Sequence, residues 1–260
     1  MSTPSTQPAA FGFEEHGHGI GDAWTVMREH ANRVGPDGEV VTCPGWRVRH
    51  LVAHQGTIHR WATAHIRGET DVDTGELERQ GMAAADQLAW LDAGARDLLQ
   101  ALRDAPDDLA AFFFLKNAPP PKFAWARRQC HETTIHAVDA MSASLGRPPR
   151  AAETWIRPRL AADGIDELLT GFVPRRHEQV RSPEPRTVVV QADDTGDAWT
   201  LAIGPDPVVT AREGASGADT VLTGTAAQLY LGLWNRGDEV VTSGSGFLDE
   251  WRRQMHVEWG

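Results

Sequence analysis

Glu132 and His136 stand four residues apart in the run Arg127-Arg128-Gln129-Cys130-His131-Glu132-Thr133-Thr134-Ile135-His136. On a helix this spacing puts a carboxylate and an imidazole on one face, one turn apart. Two such groups hold a divalent metal if a third ligand comes from another helix. His54 is the best placed, since it lies between Leu51 and Ile58 on the apolar face of its own segment. Two histidines and one carboxylate leave a coordination position open, which separates a catalytic metal site from a structural one. The set suits zinc. Nickel, cobalt or Fe(II) could take the same ligands, because selectivity rests on geometry and supply.

Other readings compete for these residues. Glu132 is also one helical turn from Arg128 and could pair with it or face water. A lone inward histidine is usually a hydrogen-bonded core residue. A buried unpaired carboxylate is costly, however, and a metal among the three groups would neutralise it. His131 points about 100° away from Glu132 around a helix and should leave the site. His50 is one turn before His54. His59 and His65 are expected at the bundle surface or edge, and His16 and His18 in a mobile-looking segment able to trap metal nonspecifically. Cys43 reads as a fourth ligand, a nucleophile or a small apolar residue before the Pro44 turn. Cys130 is expected to face elsewhere. The chain carries no G-x-S-x-G, Walker or G-x-G-x-x-G motif.

The elements that must position these groups read as helices over the first two thirds. Ile20, Trp24, Met27 and Ala31 recur at helical spacing over about 20–34. Cys43-Pro44-Gly45-Trp46 marks a turn. A second helix is expected from about Val48 to Ile66, with Gly56 inside it costing about 1 kcal/mol unless a neighbouring helix approaches closely. A single long third helix is expected from Leu77 to Arg103, then a proline-rich loop over 104–122. A fourth helix from Phe123 to Leu145 carries Glu132 and His136, and a fifth candidate lies between Ala151 and Phe172. Such helices suggest an antiparallel bundle, whose interior often houses metal sites. Residues 1–173 are thus assigned to the bundle, 174–186 to a linker, and 187–260 to a small α+β unit. In that unit β-branched stretches read as short strands. Thr225 is placed to cap a helix running to Trp234, and a last helix is expected from Gly246 to His256. Pocket residues for a small molecule are expected from loop 105–122 and from the domain junction, with core packing the other reading of Phe112, Phe113 and Phe114.

The chain has 260 residues and a net charge of -11, so a basic footprint for nucleic acid is absent. Met1 to Pro8 does not have the pattern of a signal peptide. No apolar run approaches the roughly 20 residues that span a bilayer, and two cysteines make no disulfide framework. A soluble cytoplasmic protein is expected, with a small molecule as partner.

Two segments then resemble a known family. Cys43-Pro44-Gly45-Trp46-Arg47-Val48-Arg49-His50-Leu51-Val52-Ala53-His54 is similar to the C-P-G-W-x-V-x-x-L-V-x-H signature of mycothiol-dependent maleylpyruvate isomerase-like proteins, which belong to the DinB-like metal-binding bundles. Trp125 to Arg128, with Glu132, His136 and Asp139, resembles the second signature. Leu229-Tyr230-Leu231-Gly232-Leu233-Trp234-Asn235-Arg236 resembles the closing helix of the C-terminal part. The resemblance implies a DinB-like antiparallel four-helix bundle followed by an α+β domain. It places the zinc ligands on His54, Glu132 and His136, the trio already chosen from spacing. It implies mycothiol as co-substrate, and a catalytic arginine for which Arg236 is the candidate by position. The chemistry implied is thiol activation at the metal for attack on a small electrophile, as an isomerase or as an S-transferase. A hydrolase using metal-activated water and a non-enzymatic metal- or ligand-binding protein are the alternatives.

Overall fold

The computed structural model describes residues 11–115, 118–175, 179–244 and 246–255. The reading of the first eight residues and the His256 end of the last helix lie outside these residues. Helices α1 (Phe13–Val34), α2 (Val48–Ile66), α4 (Gln87–Asp104) and α5 (Pro121–Leu145) form the bundle, and α3 (Thr74–Ala83) packs on α2. In the bundle α1 packs on α5 and α4, and α2 packs on α4 and α5.

The single third helix expected from Leu77 to Arg103 is instead α3 and α4. The break falls at Ala84, Ala85 and Asp86, where neither glycine nor proline stands. Its cause is Asp86, whose carboxylate accepts from the Ala89 backbone N–H at 2.9 Å and caps α4. Asp73 caps α3 in the same way. Helix α1 begins well before residue 20, so His16 and His18 sit on ordered helix rather than on a loose segment. Proline at the start of α5 and left-handed Gly146 (φ 67°) at its end give that helix the two termini its sequence favours. Gly56 has the close neighbour its position calls for: a Cβ there would lie 2.5 Å from the Trp90 indole of α4.

Beyond the bundle come α6 (Pro158–Glu167), a wider turn over Leu168–Phe172 and the single turn α7 (Val173–Arg175). Five strands follow: β1 (Arg186–Ala192), β2 (Ala198–Ile203), β3 (Val209–Ala211), β4 (Thr220–Gly224) and β5 (Val241–Gly244), with α8 (Ala226–Leu233) before β5 and α9 (Phe247–Gln254) after it. The strand order is β3-β2-β1-β4-β5, and β1 pairs with β4 in parallel, Val188 opposite Thr220. The other pairings are antiparallel. Thr225 caps α8 as its sequence suggests, accepting from the Gln228 N–H. The fold is α+β, with the helical bundle first.

One hydrophobic core runs through both parts. It joins Trp125 and Ile135 of α5 to Ile165 of α6, then to Val188 of β1, Leu229 of α8 and Trp251 of α9. Helix α6 packs against α8. A Cβ on Gly164 would lie 2.3 Å from the Tyr230 ring and 2.8 Å from His131, so only glycine permits that crossing.

Candidate functional site

His54, Glu132 and His136 converge. Their ligand atoms, Nε2 of each histidine and Oε1 of Glu132, lie within 4.8 Å of one another. Nε2 of His136 is 3.2 Å from Oε1, and Nε2 of His54 is 3.6 Å from it. Neither approach has hydrogen-bond geometry, so Oε1 and the Nε2 of His54 remain buried polar atoms without a partner. Such orphans are uncommon in folded proteins. Bonds of about 2.0–2.1 Å to one tetrahedral zinc would hold such atoms roughly 3.3 Å apart, close to the separations observed. The donor set and its unsatisfied atoms therefore fit a divalent cation.

The surrounding residues orient each ligand atom. Arg128 donates to Oε2 of Glu132 at 3.0 Å and leaves Oε1 facing the histidines. The Arg128 pairing considered above thus coexists with the converging group. Arg128 itself is almost fully buried and also pairs with Glu167. Nδ1 of His136 donates to Asp139 at 2.9 Å, which leaves Nε2 free to coordinate. Trp46 stacks on His136, with ring centroids 6.3 Å apart and 8° between planes, and meets His54 edge-on at 5.2 Å. Its place follows from the turn before it. Trp46 N–H donates to Cys43 C=O at 2.9 Å across Pro44 and Gly45, and Gly45 has φ 88°. Proline then glycine at these positions is the type II pattern, which demands a left-handed third residue.

Charge is concentrated here. Burial works against ionised Glu132, but His136, His54 and Arg128 outweigh it and hold the carboxyl well below the usual carboxylate range. Burial also opposes a charge on His136, yet the Asp139 hydrogen bond and the adjacent Glu132 push its pKa up to about 9. A pocket that draws a proton so strongly draws a metal cation for the same electrostatic reason.

Arg236 enters from the C-terminal part. It follows α8 through a Schellman turn: Arg236 N–H donates to Leu231 C=O at 2.7 Å and Asn235 N–H to Gly232 C=O at 3.1 Å. Asn235 takes the left-handed conformation (φ 60°) that this turn needs. The guanidinium then grips Asp139 with two bonds, Nε to Oδ1 at 2.8 Å and Nη2 to Oδ2 at 3.0 Å. Thr42 also donates to Asp139. The chain Arg236–Asp139–His136 thus connects the two parts of the molecule to the candidate centre.

Cys43 sits 3.3 Å from Nη2 of Arg236 and outside the converging trio. Burial, and then the Asp139 charge, push its thiol up to about 12 against the pull of Arg236. A thiol of that kind is a poor nucleophile. Cys130 is fully buried and faces Gly19 of α1, away from the trio.

Several histidines fall elsewhere than their spacing suggested. His59 is not at a surface or edge: it is 0% exposed, bonded to Gln55 at 2.8 Å and to Thr133 at 3.0 Å. The polar face of α2 runs into the bundle, so hydropathy alone misplaces it. His131 leaves the trio as expected and joins a second group. Its Nε2 donates to Asp163 of α6 at 2.7 Å, its Nδ1 accepts from Tyr230, and His16 of α1 meets the same carboxylate at 3.0 Å. Arg127 also donates to that oxygen, at 3.1 Å, so this group is a hydrogen-bonded seam between elements. No spacing along the chain announces it. The phenylalanines of loop 105–122 do not line the cavity at the trio. Phe113 and Phe114 pack on Trp125 instead.

That cavity has a volume of about 470 Å³ and lies between bundle and C-terminal part. The fold therefore defines a helical bundle whose candidate metal centre is covered by an α+β unit. A family model for the mycothiol maleylpyruvate isomerase N-terminal domain matches residues 20–141, and one for the corresponding C-terminal domain matches residues 159–253. The chain belongs to the mycothiol-dependent maleylpyruvate isomerase family, a family of enzymes. The solved structure of a mycothiol-dependent maleylpyruvate isomerase superposes with a TM-score of 0.61 at 17% identity, covering 94% of this chain and 96% of that one. A histidine-to-alanine variant of that enzyme gives the same TM-score at 16% identity, with the same coverage of both chains. No curated protein sequence gives a significant match. Among the described residues no helix is long and apolar enough to cross a membrane.

Proposed function

We propose that this chain is a zinc-dependent enzyme that uses mycothiol, as an isomerase or an S-transferase, on a small electrophile. The observation that carries the reading is the convergence of two orphaned buried atoms, Oε1 of Glu132 and Nε2 of His54, with Nε2 of His136 at the wall of one cavity. Family membership supports the thiol and the reaction class.

His54, Glu132 and His136 would hold the ion. Bound there, zinc would supply an open position at which a thiol gives up its proton and becomes nucleophilic at neutral pH. Asp139 keeps the proton of His136 on Nδ1. Arg128 turns the free oxygen of Glu132 inward. Trp46 covers both imidazoles and limits water on that side. Cys43, held as a thiol, does not compete with the incoming sulfur. Sulfur adding to an unsaturated carbon, followed by rotation and departure, would give isomerisation; a retained C–S bond, with the proton lost by the thiol returned to the adjacent carbon, would give transfer.

The test is metal content and thiol-dependent turnover of His54→Ala beside the wild type. About one zinc per chain is expected in the wild type, lost with activity in a still-folded variant. Full thiol-dependent activity in metal-free His54→Ala protein would overturn the reading, and turnover without any thiol would favour activated water.

A further inference from the structure

Around the trio the cavity wall mixes apolar Trp46, Ile135, Leu168, Leu233, Trp234 and Met255 with the uncharged polar side chains of Thr42 and Asn235. Beside the trio, the charged side chains lining the cavity among the described residues are Glu78 of α3 and Arg236. Glu78 would repel an anion. Four of the five N–H groups of Arg236 are already committed. Nε and one Nη2 hydrogen face the two oxygens of Asp139, Nη2 also reaches Cys43 Sγ, and Nη1 donates to Trp234 C=O at 2.9 Å. Asp139 is 0% exposed. Drawing the guanidinium onto a ligand would strip a buried carboxylate of its counter-charge, which is strongly unfavourable. The charge of a divalent ion is no substitute, because Glu132 and the thiol sulfur together balance it.

We propose that the electrophile is an uncharged molecule, such as an enone or quinone without a carboxylate, and that Arg236 is a positioning residue acting through Asp139. This inference rests on the thiol-and-metal reading above. It separates this chain from the solved relative in specificity, since maleylpyruvate carries two carboxylates. The mixed wall accepts the body of an uncharged substrate, while the carboxylate of Glu78 selects against anions.

The test uses the full zinc-loaded chain saturated with mycothiol, so that the thiol occupies the open position, and two unreactive probes of equal length, heptan-2-one and 6-oxoheptanoate. Binding is read from quenching of tryptophan fluorescence, as Trp46 and Trp234 both line the cavity. The neutral ketone should bind at least about tenfold more tightly, the preference expected when a carboxylate meets no free cation. Equal or tighter binding of the keto acid overturns the proposal. In Arg236→Gln the ratio between probes should stay, while zinc affinity measured by chelator competition falls. Loss of keto-acid binding alone would instead make Arg236 a substrate clamp. Turnover of the corresponding enones with mycothiol is scored separately, so failure of the thiol reading shows there and leaves the binding result intact.

Discussion

At the scale of the residue, the distance between spacing and geometry is instructive. Glu132 and His136 were legible because a helix repeats every 3.6 residues, and His54 because an apolar face carried it inward. Asp139 was visible in the motif, but its grip by Arg236 arises from residues 97 positions apart, which periodicity does not register. His59 was misplaced because its burial depends on Gln55 and Thr133, not on its own hydropathy. Its titration makes a prediction. Burial, followed by the charge of Arg60, pushes His59 down to about 3, whereas in the unfolded chain it lies near 6.5. Its folded pKa is depressed, so its share of stability is full above about 6.5 and is lost as pH falls toward 3. Between pH 7 and pH 5 the wild type should lose about 2 kcal/mol more than His59→Gln. Urea unfolding of both proteins at the two pH values checks this; parallel losses would refute it.

Among elements, a tight constraint is the crossing of α6 over α8, beside the His131 side chain of α5. Helices α2 and α5 were readable to within a few residues, since long apolar stripes and the Pro121 and Gly146 termini mark them. The α3–α4 break was missed because aspartate caps act through one hydrogen bond, with no glycine or proline to flag them. Strand β5 escaped because its residues are exposed and follow no clear alternation. The Gly164 crossing could not be foreseen at all. In an isolated helix Gly164→Ala would add stability, up to about 1 kcal/mol. Here its methyl group would strike the Tyr230 ring and His131, both 0% exposed. We expect a net destabilisation of about 1–3 kcal/mol, measured by chemical denaturation. A more stable variant would show that α6 can shift at little cost.

For the whole molecule, helix α6 acts as a seam. Asp163 accepts from His16 of α1 and from Arg127 and His131 of α5, while Asp166 accepts from Arg127, from Trp199 of β2 and from Arg212. With a continuous core on either side, bundle and sheet should unfold together. Tryptophan fluorescence and far-ultraviolet circular dichroism should trace one coincident transition. Asp163→Ala should move both probes to lower denaturant by the same amount, by about 2–3 kcal/mol once its partial exposure is discounted. Two separated transitions would refute this unity.

The Schellman turn that delivers Arg236 has a consequence for how such chains can diversify. A left-handed asparagine at the end of α8 fixes where a guanidinium emerges, and that guanidinium neutralises a carboxylate buried in the bundle. The α+β unit is therefore not a cassette that can be exchanged between bundles. A recombinant that grafts a foreign closing unit without an arginine at this point inherits a naked anion behind His136, and with it a weakened first half.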